Sequence, residues 1–424
     1  MKKLLMLGTS LASVEMIKYA KSIGVYTIVT DYLPPEKSVA KLEADEYWMI
    51  NTGDLDILEK KCIEESVTAV ICGVSEFNLE MTMALCKRLN LPTYCTPEAW
   101  HYSRDKADFK KLCLEVGAPV AKDYYLNPQL LDSELDEVKY PVVVKPVDLS
   151  GNRGISYCYN KEELKDAYKY ALSLSKSQKI VVEKMLQGKE WYSYYAIADG
   201  EIRLLALNSM IAQSGELKNL YSLTTTISDN VKRFIEEINP KICDVLKKVG
   251  CREGIAWVQV MLDDDNQFYI IEMGYRLPGD MPFVNYDYLC NFDSIKWLVD
   301  YSLGEKYTIQ NLPVALTSPM SKCGIAYSLW SKNSGVLDKI EGLDLLKEKY
   351  GVGYYSLHKI GDKYDFHRPV GVITFAKDTI DSALEMLDIV NKNLTIKNQN
   401  GEDVYIKYTD FDYLKDLYKK GLEE

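Results

Sequence analysis

Residues 140–155 read YPVVVKPVDLSGNRGI, an apolar strand followed directly by a loop of small polar residues and glycines. Pro141 stands at the first strand position, where proline is tolerated, and the three valines after it favour extended backbone. Lys145 ends the strand, and Gly151 and Gly154 lie in the loop. Backbone amides of a glycine loop can converge on phosphate oxygens, and a lysine ammonium can neutralise their charge. The stretch therefore predicts a hairpin that can bind phosphate.

Elements on either side of this hairpin predict a mixed fold of helices and sheets. Apolar positions at helical spacing predict a helix over residues 161–175, and residues 179–186 return as a strand. Residues 254–262 and 267–273 predict two strands joined by an Asp-rich turn, which is typical of an antiparallel hairpin. The last part, residues 305–424, alternates strands with a helix and ends in a charged tail.

The first 95 residues predict a small doubly wound sheet, because short apolar runs alternate with amphipathic stretches. Gly8 in the first turn and Asp31 about twenty residues later are typical of a dinucleotide-binding fingerprint. The second and third glycines of that fingerprint would fall at Ser10 and Ser13. Close approach of a pyrophosphate is therefore not supported, and nicotinamide or flavin binding is disfavoured.

The composition excludes several classes of protein. The chain has 424 residues, of which 47% are hydrophobic and 27% charged, as in folded globular proteins. A net charge of -11 disfavours nucleic-acid binding, since the average field repels a phosphate backbone. No apolar run approaches the ~18 to 20 residues that span a bilayer, so no membrane partner is expected.

The cysteines and histidines show no pattern that is typical of a catalytic or metal site. The ten cysteines are scattered without a CxxC pair, which is typical of reduced, buried thiols in a cytoplasmic protein. The three histidines, His101, His358 and His367, are far apart in the sequence. A histidine-rich metal site or a Ser-His-Asp triad is therefore disfavoured, and the chemistry must rest on lysine, arginine and carboxylates.

The pattern GxxxxGK[ST] is absent, so the phosphate site is not of that class. The order of the other motifs resembles the ATP-grasp ligase superfamily over essentially the whole chain. The motifs that carry the resemblance are Asp105-Lys106 opening a helix, YPVVVKPV (140–147), SGNRGI (150–155), VVEKML (181–186) followed by GKE (188–190), Gln259, and EMGYR (272–276). The resemblance implies an α/β and α+β fold, with an N-terminal doubly wound α/β domain before the ATP-grasp fold and a C-terminal α+β domain after it.

The implied domain boundaries divide the chain into four parts. These are an N-terminal α/β domain (1–98), a small ATP-grasp subdomain with the glycine loop (99–190), a large subdomain with the metal site (191–304) and a C-terminal α+β domain (305–424).

The resemblance also implies which residues meet ATP and magnesium. The implied ATP-binding residues are Lys106 and Lys145 at the phosphates, Ser150, Gly151 and Gly154 in the loop that closes over them, Glu183, Lys184, Met185 and Leu186 at the adenine edge, and Glu190 at the ribose. Gln259 and Glu272 would hold Mg²⁺, with Mn²⁺ as an alternative metal. Arg276 would face the transferred phosphate or the substrate carboxylate, so Arg276 and Lys145 are the candidate catalytic residues.

Each of these residues also has a structural interpretation. A lysine at a strand end is usually solvated or ion-paired, and Gly151 and Gly154 could mark only a tight hairpin. Glu183 and Glu190 could be surface charges on an edge strand, and Gln259 alternates with its apolar neighbours as an outward-facing residue would. For Glu272, the alternative is a structural salt bridge with Arg276. The joint appearance of the motifs in one order favours the ATP site.

The chain departs from the family at two metal positions. The family commonly has Glu where Gln259 stands and Asn where Gly274 stands. Glutamine offers one carbonyl oxygen without a charge, and glycine offers no side chain. We therefore expect the second magnesium either to be held mainly by ATP, Glu272 and water or to bind weakly. In both cases the catalytic rate is affected before nucleotide binding is.

The resemblance implies an ATP-dependent ligase that joins a carboxylate to an amine through an acyl phosphate, giving ADP and phosphate. Alternatives with the same fold are a purine-pathway phosphoribosylamine-glycine ligase and a bicarbonate-activating enzyme of the carbamoyl phosphate synthase or carboxylase type. A catalytically weak ATP-binding sensor is the alternative from another class. The expected partners are a small-molecule carboxylate and an amine, in the cytoplasm, with a homodimer as the candidate assembly. The stretches 209–226 and 276–280 are candidates for the substrate pocket.

Overall fold

The computed structural model describes residues 1–147, 154–213 and 220–423, which form two compact units. Unit 1 consists of three segments of the chain, Met1–Trp100, Trp191–Trp257 and Gly274–Glu424. Unit 2 consists of two segments, His101–Glu190 and Val258–Met273. The division into four domains stays a prediction.

The first segment of unit 1 forms a parallel sheet with strand order β3-β2-β1-β4. Its elements are β1 (Lys3–Leu7), α1 (Leu11–Ser22), β2 (Tyr26–Thr30), α2 (Val39–Glu43), β3 (Glu46–Trp48), α3 (Leu55–Glu64), β4 (Ala69–Cys72), α4 (Glu76–Leu89) and α5 (Pro97–Arg104). Strand β4 is buried along its whole length, as expected of a strand with both faces covered. The doubly wound sheet predicted from the sequence is present.

The later segments of unit 1 build a large antiparallel sheet. Its neighbouring strands are, in order, β9 (Gly188–Ala198), β10 (Glu201–Ala212), β11 (Tyr221–Thr225), β14 (Cys323–Trp330), β18 (Pro369–Lys377) and β16 (Gly353–Tyr355). A smaller sheet has the order β17 (Lys363–Tyr364), β15 (Gly335–Glu341) and β19 (Thr395–Asn398). Strands of the segment 305–424 therefore continue the sheet that β9 to β11 begin.

The later segments of unit 1 also contain helices. They are α9 (Val231–Arg233), a π-helical turn (Phe234–Ile238), α10 (Asn239–Val249), α11 (Tyr286–Cys290), α12 (Ser294–Ser302), α13 (Leu343–Tyr350), α14 (Ile380–Asn393) and α15 (Phe411–Glu423). Of these, α10, α11, α13 and α14 pack against strands of the large sheet. One core cluster of unit 1 includes Tyr194 and Tyr286, whose ring centroids are 4.7 Å apart. A second cluster includes Tyr327 and Leu387. Strand alternation sends one set of side chains into each cluster.

Unit 2 contains a sheet in the order β5-β8-β6-β7 with its own core. Its elements are α6 (Lys106–Glu115), β5 (Asp123–Tyr124), α7 (Asp132–Leu135), β6 (Val142–Pro146), β7 (Ser156–Cys158), α8 (Lys161–Leu174) and β8 (Ile180–Lys184). A hairpin is formed by β12 (Gly254–Asp263) and β13 (Phe268–Gly274), and its part Val258–Met273 is the second segment of unit 2. Ile270 of that hairpin forms a parallel bridge with Val120 and donates its amide to the Pro119 carbonyl at 2.8 Å.

All ten cysteines lie in the described ranges as free thiols, and eight of them are buried. Burial raises the pKa of the Cys72 thiol to about 12. Protonated thiols of this kind are weak nucleophiles. Across residues 1–147, 154–213 and 220–423, no helix combines the length and the apolar composition needed to cross a bilayer.

Candidate active site

Strand β6 places Lys145 on the partly exposed face of the unit 2 sheet. Val142, Val144 and Pro146 are buried, whereas Lys145 alternates with them and is not. In the antiparallel register Val143 lies opposite Glu183 of β8, so Lys145 is a diagonal neighbour of that carboxylate. The ammonium of Lys145 forms an ion pair with Oε1 of Glu183.

Glu183 lies between two lysines. Its other oxygen, Oε2, accepts from Nζ of Lys110 at 2.9 Å, and Lys110 also contacts Asp123 at 2.5 Å. Burial acts to raise the pKa of Glu183, but Lys145 and Lys110 outweigh burial and hold that pKa below its usual value. Two lysines and two carboxylates of this unit therefore form one charge-balanced group. Glu183 is part of this group and is not an isolated surface charge.

The predicted phosphate lysine Lys106 and the predicted metal ligand Glu272 meet in unit 2. Lys106 is the first residue of α6, whose N-cap Asp105 accepts from the amides of Ala107 and Asp108 at 3.0 and 2.9 Å. Nζ of Lys106 lies 2.5 Å from Oε2 of Glu272 on β13. The Lys106 side chain is 64% exposed, so a phosphate can approach it. Glu272 thus pairs with a lysine, and its alternative salt bridge with Arg276 is not the one observed.

Gln259 and Glu190 form a second contact of this site. Trp257, Gln259 and Met261 alternate with buried residues along β12 and are partly exposed. The Gln259 amide nitrogen donates to Oε1 of Glu190, which is only 7% exposed. The surface-charge alternative for Glu190 is therefore wrong. The role of Gln259 as a metal ligand stays a prediction.

The Lys184 side chain fastens the β12–β13 turn to β8. Its ammonium lies 2.6 Å from a carboxylate oxygen of each of Asp263 and Asp265, and it donates to the Tyr269 hydroxyl at 3.3 Å. Burial opposes the charge, but these hydrogen bonds raise the pKa of Lys184 above its usual value. Met185 and Leu186 follow as half-buried residues. The predicted contact of these three residues with adenine stays a prediction.

Two of the three predicted loop residues, Ser150 and Gly151, lie outside the described residues. Gly154 is buried in a turn with φ +76°, a conformation that favours glycine. A Cβ at Gly154 would lie 3.0 Å from Cγ of Pro146 at the end of β6. Both the left-handed turn and the close approach of the chain to strand β6 therefore favour glycine at this position.

The structure explains why no side chain stands at Gly274. A Cβ at that position would lie 2.2 Å from two ring atoms of Trp257. The indole of Trp257 thus occupies the space that a ligand such as asparagine would need. The remaining oxygen donors, Gln259 and Glu272, are of the type that suits Mg²⁺, and they fit a site with few protein ligands.

Arg276 belongs to unit 1, where it is enclosed by three groups. Its guanidinium lies over the Trp257 ring at 5.5 Å from the centroid, pairs with Glu76 at 3.0 Å and donates to the Leu277 carbonyl at 2.8 Å. Glu76, like Lys110 and Asp123 of unit 2, was missed from the sequence. Lys110 could have been found, because it follows Lys106 by one turn of α6.

A family model described as Carbamoyl-phosphate synthase L chain, ATP binding domain, matches residues 105–285. The chain is 24% identical over 284 residues to the carbamoyl phosphate synthase large chain of Clostridium beijerinckii, covering 65% of this chain and 26% of that protein. It is 27% identical over 202 residues to the D-alanine--D-alanine ligase of Listeria welshimeri, covering 44% of this chain and 53% of that protein. These matches confirm the predicted resemblance to the ATP-grasp superfamily. The chain spans about a quarter and about half of the length of these two relatives.

Solved structures share the ATP-grasp fold over nearly the whole chain. Phosphoribosylglycinamide synthetase from Anaerococcus prevotii superposes with a TM-score of 0.74 at 20% identity, covering 94% of this chain and 100% of that one. The biotin carboxylase domain of Hydrogenobacter thermophilus 2-oxoglutarate carboxylase, a dimer in complex with MgADP, ADP and bicarbonate, gives 0.76 at 17% identity, covering 99% and 94%. At these identities the likeness shows the fold, and the predicted ATP-grasp fold is confirmed.

The similar proteins reported above include a synthase, a ligase and a synthetase, which agrees with the predicted enzyme class, an ATP-grasp ligase. ATP and Mg²⁺ are the nucleotide and the metal of ATP-grasp enzymes, in agreement with the prediction for this chain. Unit 2 contains Lys106, Lys145, Glu183, Glu190 and the two predicted metal residues. Their individual roles stay predictions.

Proposed function

We propose that this ATP-grasp protein is a ligase that joins a carboxylate to an amine and converts ATP to ADP and phosphate. The observation that carries the proposal is the ion pair of Lys106 with Glu272. Lys106 is a cation suited to phosphate, Glu272 is an anion suited to magnesium, and the two neutralise each other in this pair. When Mg-ATP binds, its phosphates can replace Glu272 as the partner of Lys106, and its Mg²⁺ can replace Lys106 as the partner of Glu272. Lys145 and Lys110 provide further positive charge within the same unit.

The reaction needs no protein nucleophile. An oxygen of the substrate carboxylate attacks the terminal phosphorus of ATP, the bond to ADP breaks, and an acyl phosphate forms. The amine nitrogen then attacks the acyl carbon, phosphate leaves, and the nitrogen loses a proton to give the amide. Lys106 and Lys145 would orient the phosphates and offset their charge. Bound Mg²⁺ would neutralise phosphate charge, held by Glu272 and the Gln259 carbonyl oxygen.

The activities named for the similar proteins support a ligase, but they differ in their substrates. One relative is a carbamoyl phosphate synthase and another a D-alanine--D-alanine ligase, while a structural neighbour binds bicarbonate. The carboxylate can therefore be an organic acid or bicarbonate. A sensor is the second candidate function, and it is favoured by Trp257, which occupies the space of a metal ligand at Gly274.

The test is phosphate release from Mg-ATP by the purified full chain. The common amino acids are screened in pairs, then bicarbonate with an amine, and glycine with phosphoribosylamine, and products are identified by mass spectrometry. We expect release that depends on both an acid and an amine. Lys145→Ala should lower turnover or ATP affinity by ~10 to 100 fold, because a charge-assisted hydrogen bond contributes roughly 1.5 to 3 kcal/mol.

Lys169→Ala is the matched control, since this lysine lies on α8 of the same unit with a side chain 74% exposed. It should leave phosphate release unchanged. A chain that binds Mg-ATP but releases no phosphate with any pair is a sensor. Equal activity of Lys145→Ala and the wild type would contradict the assignment of that lysine.

A further inference from the structure

Lys110 links helix α6 to two carboxylates of the unit 2 sheet. Its Nζ lies 2.5 Å from Oδ1 of Asp123 and 2.9 Å from Oε2 of Glu183. Asp123 on β5 lies directly opposite Glu183 on β8, so the two carboxylates would repel each other without a cation on both. The side chains of Lys110, Asp123 and Glu183 are 14%, 17% and 15% exposed. Water therefore screens these three charges only in part.

Glu183 has a second lysine partner, Lys145, which is also the predicted phosphate lysine. The two lysines bind different oxygens of Glu183, since Lys145 pairs with Oε1 and Lys110 with Oε2. The Lys145 side chain is 26% exposed at the end of β6, and it is the more accessible of the two lysines. An ammonium that turns towards a phosphate gives up contact with its carboxylate. Glu183 must then be compensated by another cation.

Lys110 is the cation that stays with Glu183 in that exchange. Among the ion pairs of residues 1–147, 154–213 and 220–423, those of Glu183 are with Lys110 and Lys145. A largely buried carboxylate is costly when its only cation leaves. Without Lys110, the ammonium of Lys145 would be the one cation on Glu183. The phosphates of ATP would then have to compete with Glu183 for Lys145.

We propose that Lys110 is a positioning residue of the ATP site, because it is the permanent counter-ion of Glu183 and thereby frees Lys145 to bind the phosphates of ATP. The inference rests on the proposed function for the role of Lys145. Lys110 acts through Glu183 and Lys145 and needs no contact with the nucleotide. Two other roles of Lys110 give different results: a purely structural anchor of α6 weakens the binding of every nucleoside alike, and a direct phosphate contact weakens Mg-ATP binding even where Glu183 is neutral.

The first experiment compares ligands with and without phosphates. Mg-ATP and adenosine are titrated by calorimetry into the full-length wild type, Lys110→Met and Lys110→Arg. Lys110→Met should bind Mg-ATP at least ~10 fold more weakly, because Lys145 is then held by Glu183, and it should bind adenosine within ~2 fold of the wild type. Lys110→Arg keeps the charge and should restore most of the Mg-ATP affinity. Equal losses for adenosine and Mg-ATP would overturn the inference in favour of a structural anchor.

The second experiment is a double-mutant cycle with Glu183→Gln. In this background no carboxylate at position 183 competes with the phosphates for Lys145. Lys110→Met should therefore weaken Mg-ATP binding by less than ~3 fold there, against at least ~10 fold in the wild-type background. The same loss in both backgrounds would overturn the inference, since it would indicate that Lys110 contacts phosphate directly.

Asp123→Asn tests the inference in a variant that keeps Lys110. The substitution removes one of the two anions on the Lys110 ammonium and leaves that ammonium to Glu183. The variant should bind Mg-ATP more tightly than the wild type, which is the opposite of the change in Lys110→Met. This comparison stands even where Lys110→Met folds poorly, and weaker binding by Asp123→Asn would overturn the inference. Lys111→Met, at an exposed position of the same helix, is the matched control and should bind as the wild type does.

These measurements separate the inference from the ligase proposal, because they follow binding and not phosphate release. The expected pattern of affinities, in a chain that releases no phosphate with any acid and amine, would keep the role of Lys110 and overturn the ligase. Phosphate release that needs an acid and an amine, with unchanged Mg-ATP affinity in Lys110→Met, would keep the ligase and overturn the role of Lys110.

Discussion

Gly274→Ala is expected to destabilise unit 1 through the Trp257 ring alone. The new Cβ would lie 2.2 Å from Cε2 and Cζ2 and 2.5 Å from Nε1, where ordinary contacts are at ~3.5 Å. The ring must move by ~1.3 Å, and overpacking of this kind costs about 1 to 3 kcal/mol. Unit 1 has about 320 residues. At ~2.1 cal/mol/K per residue, its unfolding entropy is ~0.7 kcal/mol/K, so the melting temperature should fall by ~1.5 to 4.5 °C.

Scanning calorimetry of four proteins measures this effect: wild type, Gly274→Ala, Trp257→Ala and the double variant. Because the glycine backbone is not in the left-handed region, the Trp257→Ala background should remove most of the cost of Gly274→Ala. Gly279→Ala is the matched control, since no atom of the described residues, its two chain neighbours apart, lies within 4 Å of its added Cβ. An unchanged melting temperature for Gly274→Ala, or the same loss in both backgrounds, would refute the steric explanation for the missing metal ligand.

Three further outcomes are expected in unit 2. Glu272→Gln should lower turnover by at least ~100 fold. Its melting temperature should be nearly unchanged, because the exposed ion pair with Lys106 contributes only ~0 to 1 kcal/mol to stability. A variant that melts early but keeps full activity would show that Glu272 is structural. Since the folded pKa of Glu183 is below its unfolded value, its contribution to stability is present above pH ~4.3 and is lost as the pH falls through the folded pKa. Glu183→Gln should therefore flatten the fall in melting temperature between pH ~5 and 3, and an unchanged slope would contradict this linkage. Gln259→Glu places a second carboxylate against buried Glu190, so it should lower the melting temperature in metal-free buffer. Adding Mg²⁺ should partly restore the melting temperature. If Na⁺ at equal ionic strength restores it equally, the effect is general charge screening.

The local elements of this protein could be predicted from its sequence, because they depend on short-range patterns. The valines before Lys145 predict strand β6, and the alternation of apolar and polar residues puts Lys145 on the partly exposed face. The doubly wound order of the first segment follows from alternating strands and helices. The motif order was sufficient to predict the superfamily, since each motif is contiguous in the chain.

Only the tertiary structure decided which side chains meet. Arg276 pairs with Glu76, 200 residues away, and Glu272 pairs with Lys106 rather than with its close neighbour Arg276. The obstruction at Gly274 by Trp257 likewise joins two different strands. Such contacts depend on strand order and register, which the pairing of distant segments determines and no short pattern encodes. The sequence by itself therefore determined the residue types available for ATP and magnesium, while the packing of distant strands determined the partners and the space that each residue has.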